Sequence, residues 1–145
     1  MSQKTATNTE QAQYSTNFPC AVALVHGAVS PEHVADEALN DPEVQMPSSA
    51  LTIVEDEVAN QYFPAHRLAR ANIKLCNGKI LNSDWFEPQW DATKPPNKLE
   101  LKNKFHTYAI PVVGNDRADV IHQAVMNLDQ TCVKTLFNLI AQPSN

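Results

Sequence analysis

The dipeptide Asn77-Gly78 constrains the fold more than any other feature of the sequence. An Asn-Gly pair favours a two-residue type I′ turn, which needs positive φ at both positions and joins two antiparallel strands. Residues 69–76, before the turn, alternate apolar and polar side chains, which is the pattern of a strand with one buried face. We therefore predict a β-hairpin with strands at about 69–76 and 79–85.

Helix signals precede this hairpin. Asn17 is a suitable N-cap and Gly27 a suitable stop, so the residues between them predict a helix. Residues 30–39 begin with Ser-Pro-Glu and predict a second helix, because proline is favoured at the first helical position. The Asp-Pro-Glu at 41–43 repeats that pattern and predicts a short third helix, which Pro47 should end.

The pattern changes between these helices and the hairpin. The run Leu-Thr-Ile-Val at 51–54 is rich in β-branched residues and predicts a third strand. Asp56 should then cap a short helix that reaches Tyr62. Three short strands would form a small sheet that needs a helix to cover it.

The sequence after the hairpin is helical in pattern. Asn97 and Glu100 have the spacing of a capping box, in which each side chain accepts a hydrogen bond from the other residue's backbone. Residues 117–127 and 130–140 predict two more helices, with Asp129 as the cap between them. In the helix that this capping box begins, apolar residues recur at helical spacing: Leu101, Phe105, Tyr108, Ala109 and Val112.

The elements together predict an α+β fold, with helices flanking a small antiparallel sheet that holds the strand–Asn-Gly–strand hairpin, followed by a C-terminal helical segment. The chain has 145 residues, of which 43% are hydrophobic and 19% charged, which suits a folded domain and not a disordered chain. No apolar run approaches the ~20 residues that cross a bilayer, so we expect no membrane span.

Charge and cysteine usage narrow the class of protein further. A net charge of −5 argues against general nucleic-acid binding, which needs a strong positive field. The polar first fifteen residues lack the apolar segment of a signal peptide, and the three cysteines form no Cys-x-x-Cys motif. We therefore expect an intracellular protein with reduced thiols and no zinc site.

The residues that could carry chemistry leave two alternatives open. Basic residues are in excess between Arg67 and Lys104, which suits either a solvated face or a site for an anionic ligand. Trp85, Phe86 and Trp90 suit either packing beneath a loop or the wall of a ligand site. The five histidines lack metal-ligand spacing, and no phosphate-binding or nucleophile motif occurs, so the sequence predicts no metal, cofactor or catalytic residue.

Several segments occur in an order that is specific as a set, although none is decisive alone. They are residues 12–18, 20–24 with Gly27, 41–44 (Asp-Pro-Glu-Val), the hairpin at 73–78 and the helix start with Lys104-Phe105 at 94–105. This order resembles the C-terminal part of the MmgE/PrpD family, which includes 2-methylcitrate dehydratase and cis-aconitate decarboxylase. The resemblance covers about residues 12–141.

The resemblance implies a domain plan. Family members pair a large helical domain with a smaller α+β lid, and the chain returns to the helical domain with its last helices. Residues 15–96 would be the later part of the lid, and residues 97–141 the helices that pack on the helical domain. Residues 1–14, which are polar, should be a disordered N-terminal segment.

The resemblance also implies a chemistry. Family members are lyases that add or remove water, or remove CO₂, on small di- and tricarboxylic acids. They use general acid–base groups and mostly need no metal or organic cofactor. Most of those groups lie in the helical portion, which this sequence does not contain, so no catalytic residue is assigned here.

Two positions at the edge of the family's pocket do fall within the sequence. The family's Ser-x-x-Tyr element corresponds to Ser15 and Phe18, so both are expected at a substrate-pocket edge, although a phenylalanine cannot donate a hydrogen bond. The family's Pro-Lys-Gly loop reads Pro-Gln-Trp at 88–90. Trp90 can adopt the positive φ that glycine allows only with strain.

Three functions follow from these observations. The first is a truncated domain of a carboxylic-acid lyase, inactive alone, whose uncovered apolar faces at Leu101, Phe105, Val112, Leu136 and Ile140 favour association. The second is an active lyase, alone or completed by a separate helical-domain chain. The third is a non-catalytic domain that binds an anion or a partner. The expected partners are a small carboxylate and a helical-domain chain or a second copy, with no nucleic acid or membrane.

Overall fold

The computed structural model describes residues 6–141, and the chain divides into two compact units, Met1–Ala65 (unit 1) and His66–Asn145 (unit 2). The described residues form seven α-helices and a two-stranded antiparallel sheet, which confirms the predicted α+β class with a helical C-terminal end. Within this range no helix is both long and apolar enough to cross a membrane. The predicted boundaries at residues 15, 96 and 141 stay predictions.

Unit 1 is built around helix α2 (Asn17–His26), which the sequence predicts. Gly27 ends α2 with a left-handed φ of 77°, and its N–H donates to the Ala23 carbonyl. The other elements described in unit 1 are α1 (Thr9–Tyr14), two 3₁₀ helices (Pro31–Val34 and Asp36–Asn40), α3 (Pro42–Ala50) and α4 (Glu57–Tyr62). The core cluster contains Ala6, Ala12, Phe18, Ala21, Val22, Leu39 and Val44.

Asn17 does not cap α2, which corrects the sequence analysis. The N-cap is Thr16, and the Asn17 side chain is buried. Its Nδ2 donates to the carbonyl oxygens of Ser48 at 3.2 Å and Leu51 at 3.0 Å. Carbonyls at a helix C-terminus have no partner within the helix, so this amide satisfies groups at the end of α3.

Helix α3 continues through Pro47, where the sequence predicts an end. Asp41 caps the helix by accepting from Glu43 N at 2.9 Å, and Leu51 N donates to the Pro47 carbonyl at 2.9 Å. A proline removes one N–H donor from the helix. Val44 and Ser48 are buried on one face of α3, and this packing holds the helix together past the missing bond.

Three further expectations for unit 1 are corrected. Residues 30–39 form two 3₁₀ helices because Ala35 between them is extended, at φ −70° and ψ 153°. Residues 9–14 are helical and not disordered, because Asn8 accepts from Gln11 N and Ala12 is buried in the core; residues 1–5 lie outside the described residues. Residues 51–54 form no strand.

The missing third strand has a local cause. Residues 52–54 are exposed, and the Leu51 carbonyl accepts from the Asn17 amide instead of a strand neighbour. β-propensity indicates suitability for a sheet surface and does not supply a partner strand.

The prediction that Asp56 caps a short helix is confirmed, because Asp56 Oδ1 accepts from Val58 N at 2.9 Å at the start of α4.

Unit 2 begins with the predicted hairpin. Strand β1 (Asn72–Lys74) pairs with β2 (Ile80–Asn82) in an antiparallel register that places Ile73 opposite Leu81. Gly78 has a φ of 84°, as the turn requires, and an isolated bridge between Ala69 and Phe86 extends the pairing. The expected half-buried face is wrong, since every residue of both strands is exposed. The turn and the backbone hydrogen bonds set this register without a buried face.

Three helices follow the hairpin: α5 (Lys98–Val113), α6 (Asn115–Met126) and α7 (Val133–Ala141). The predicted capping box is confirmed, with Asn97 Oδ1 accepting from Glu100 N at 2.9 Å and Glu100 Oε2 accepting from Asn97 N at 2.7 Å. Asp129 lies in the turn before α7 and does not cap it, because α7 begins only at Val133 and the Asp129 carboxylate accepts from Gln130 Nε2 at 3.0 Å.

Candidate functional site

A cavity of about 550 Å³ lies in unit 2, beside the loop between the hairpin and α5. Two local structural features position the residues that line the cavity: a β-bridge at the end of the hairpin and the capping box of α5. The bridge between Ala69 and Phe86, with hydrogen bonds of 2.8 and 2.9 Å, fixes the loop where it leaves the sheet. The capping box fixes Glu100 at the start of α5. The apolar part of the lining consists of Leu68, Trp85, Phe86, Pro88, Trp90 and Pro95.

The sequence left open whether the aromatic cluster packs beneath a loop or forms the wall of a ligand site. The structure places Trp85, Phe86 and Trp90 in the cavity lining. Each tryptophan has a cation over its ring. The Arg70 guanidinium carbon lies 4.5 Å from the Trp85 ring centroid, and Lys104 Nζ lies 4.7 Å from that of Trp90. Such contacts attract the cation to the negative face of the ring.

Glu87 is the centre of an ion-pair network at the cavity. His66 Nδ1 lies 2.6 Å from Glu87 Oε1, and Lys94 Nζ lies 3.0 Å from Glu87 Oε2. The hydrogen bond to His66, followed by that to Lys94, holds the pKa of the Glu87 carboxyl below its usual value. Glu87 is therefore a carboxylate at neutral pH. A second pair, Arg67 Nη2 to Asp91 Oδ2 at 2.6 Å, joins the same loop to the start of unit 2.

Four of the eight Lys and Arg side chains between Arg67 and Lys104 contact other side chains of the chain itself. Arg67 and Lys94 pair with carboxylates, whereas Arg70 and Lys104 lie over tryptophan rings. No short-range signal in the sequence could have paired His66 with Glu87, because 21 residues separate them. The hairpin brings these two positions together.

Trp90 takes the strained conformation expected for a tryptophan at the family's glycine position. Its φ is 65°, and it is the one residue other than glycine with positive φ among those described. A left-handed conformation costs a residue with a Cβ about 1–2 kcal/mol. The contact with Lys104 and the cavity wall are the surroundings that hold Trp90 in place.

This strain predicts an order of stability for two variants. Trp90→Gly and Trp90→Ala both remove the indole and its contact with Lys104, but only glycine adopts positive φ freely. We expect Trp90→Gly to be about 1 kcal/mol more stable than Trp90→Ala, because alanine is destabilising where φ is positive. Urea unfolding followed by circular dichroism measures the difference. Equal stabilities would show that residue 90 does not need a left-handed backbone.

Ser15 and Phe18, the two expected pocket-edge residues, lie in unit 1. Ser15 ends α1, and its Oγ accepts from Phe18 N at 3.3 Å. Phe18 is fully buried in the core cluster. The structure gives the two residues capping and packing contacts, and their place at a substrate pocket stays a prediction.

Four of the five histidines have side-chain partners, whereas Nδ1 of the fifth, His122, is buried with no hydrogen-bond partner among the described residues. His26 stacks on His33 with ring centroids 4.5 Å apart, and His106 Nε2 lies 2.8 Å from Asp119 Oδ1 between α5 and α6. Between residues 6 and 141, no group of three or more His, Cys, Asp or Glu side chains could hold a metal ion. Glu87 and Glu100 line the cavity, but both carboxylates are engaged in hydrogen bonds within the chain.

Comparison with known families gives one result. The sequence model of one protein family, the MmgE/PrpD C-terminal domain, matches residues 1–130 of this 145-residue chain. This match confirms the resemblance found in the sequence. A search of curated proteins found no match.

Proposed function

We propose, from the premise that this chain belongs to the MmgE/PrpD family through its C-terminal domain, that it is the non-catalytic part of a lyase acting on small di- or tricarboxylic acids. In this proposal the chain supplies no acid–base group of its own. It acts by docking its last helices on a helical domain that carries those groups.

One observation carries this proposal: the apolar faces of α5 and α7 are uncovered. Among the described residues, neither α5 nor α7 contains a fully buried side chain. On α5, Leu101 and Val112 are 51% and 64% exposed, and on α7 Phe137 is 68% exposed. Phe105 and Leu136, also expected on these faces, are half-buried. An exposed apolar stripe of this kind is typical of an interaction site.

The contacts of the titratable groups support a non-catalytic role. A general acid or base must reach the substrate within hydrogen-bond distance and hold the right protonation state. At the cavity, Glu87 is held ionised by His66 and Lys94, and Glu100 accepts from the Asn97 amide to cap α5. These carboxylates already have structural partners.

The test is reconstitution. The chain is mixed with the N-terminal helical portion of a family lyase, and dehydration of 2-methylcitrate and decarboxylation of cis-aconitate are followed. We expect turnover from the mixture and from neither part alone. The double variant Val112→Glu/Phe137→Glu should lose both complex formation and turnover, because it places two carboxylates in the apolar contact.

The matched control also adds two carboxylates, at exposed polar positions of the same helices. Asn103→Glu/Asn138→Glu should reconstitute turnover as the unaltered chain does. Loss of turnover in the control to the same degree as in Val112→Glu/Phe137→Glu would contradict docking through the apolar faces.

The second candidate function, a domain that binds an anion without turnover, is favoured by a different observation. Three cations, Arg70, Lys94 and Lys104, lie against the residues that line the unit 2 cavity. Ligand binding without turnover by the chain alone distinguishes this candidate from the first.

A further inference from the structure

We propose that the unit 2 cavity is a binding site for a small aromatic carboxylate. This inference goes beyond the lyase proposal and does not depend on it, because the cavity residues are separate from the uncovered faces of α5 and α7 that the lyase proposal uses.

The cavity has the size and walls of a small-molecule site. Ligand pockets usually measure about 300–1,000 Å³ and combine apolar and aromatic walls with a few polar groups. The volume of about 550 Å³ falls within that range. Trp85, Phe86 and Trp90 supply flat aromatic surface, which favours an aromatic ring over a flexible aliphatic chain.

The charges at the cavity select an anion. The two lining carboxylates are engaged, Glu87 by His66 and Lys94 and Glu100 by the Asn97 amide. Lys94 is 71% exposed and has three donors, of which one is directed to Glu87 Oε2. Its remaining donors are available to a ligand carboxylate at the rim of the cavity.

The cations over the tryptophan rings disfavour a positively charged ligand. Arg70 and Lys104 already occupy a face of Trp85 and Trp90, respectively. A second cation at either ring would meet a like charge nearby, whereas an anionic ligand is attracted to it. An aromatic ring that carries a carboxylate therefore fits both the walls and the charges.

The backbone at Trp90 is a further observation at the same place. A bulky side chain at a φ of 65° is strained, and strained residues of this kind cluster at ligand sites. The left-handed backbone places Trp90 in the cavity lining, where the contact with Lys104 holds it. A ligand would then meet a wall that is already in position.

The chain has two tryptophans and both line the cavity, so their signals report on this site alone. The indole N–H resonances of the ¹⁵N-labelled full chain are followed while benzoate is added. We expect saturable shifts of both resonances, weaker binding of cyclohexanecarboxylate, which lacks the aromatic ring, and no saturable shift with benzylamine, which reverses the charge. Benzylamine binding as tightly as benzoate, or no saturable shift with benzoate, would overturn the proposal.

Lys94→Gln tests the assigned contact. We expect the variant to raise the Kd for benzoate about tenfold, as expected for loss of one charge-assisted hydrogen bond. Lys79→Gln makes the same change of charge at an exposed position beside the hairpin turn and should leave the Kd unchanged. Equal Kd values for both variants would overturn the role of Lys94. Displacement of benzoate by equimolar citrate would overturn the aromatic preference.

Discussion

Replacing Phe18 by alanine is expected to lower the free energy of unfolding by about 3–5 kcal/mol, the usual cost of truncating a fully buried phenylalanine. Among the described residues, Phe18 is the largest fully buried side chain, and it lies in a cluster with Ala21, Val22 and Val44. Removing its ring leaves a cavity that these neighbours cannot fill without moving. Urea unfolding followed by far-ultraviolet circular dichroism measures the loss.

Tyr14→Ala is the control, because Tyr14 is an aromatic residue in the same unit with 87% exposure. It should change the free energy of unfolding by no more than about 0.5 kcal/mol. Phe18→Tyr adds a further test of the site. In a closed core the added hydroxyl lacks a partner and costs about 1–3 kcal/mol. A neutral Phe18→Tyr would instead indicate that the ring edge opens to a pocket, as the family resemblance implies.

Asn17→Asp is expected to lower the free energy of unfolding by at least about 3 kcal/mol. The substitution keeps the shape of the side chain but replaces the amide donor by a buried carboxylate. The Ser48 and Leu51 carbonyls, now 3.2 and 3.0 Å from Nδ2, would lose their donor and face a negative charge. The same unfolding measurement applies.

Asn138→Asp is the matched control for this change, because Asn138 is exposed on α7. It should be close to neutral. If Asn17→Asp were as mild as Asn138→Asp, the amide would not be holding the C-terminal end of α3.

Signals that act within a few residues made most of the fold predictable. The Asn-Gly turn specified the hairpin, and the capping box of Asn97 and Glu100 specified the start of α5. Gly27 specified the end of α2, because it can take the left-handed conformation that closes a helix. In each case the residues that decide the structure are neighbours in sequence.

Expectations were wrong where contacts distant in sequence decide the outcome. Pro47 breaks an isolated helix, but burial of Val44 and Ser48 maintains α3 through it. Asparagine is a favoured N-cap residue, yet the Asn17 side-chain amide donates to the carbonyls of Ser48 and Leu51, more than thirty residues further along the chain. Neither contact leaves a periodic signal in the sequence.

The site was predictable in its parts and not in its assembly. The aromatic cluster and the basic excess were visible in the sequence, and either could have been ordinary surface. Contacts across the hairpin and the loop decide their arrangement, with His66 and Lys94 both on Glu87 and Lys104 over Trp90. The positive φ of Trp90 could be expected only from the family resemblance, because the family has a glycine at that position.

The central claim, that this chain supplies a lyase domain without catalytic groups of its own, is tested most directly by one measurement. The purified chain is separated by size-exclusion chromatography with light scattering, and each fraction is assayed for turnover of cis-aconitate and 2-methylcitrate. We expect a chain that associates through its uncovered helix faces and turns over neither acid in any fraction. Turnover that co-elutes with the chain alone would contradict the claim.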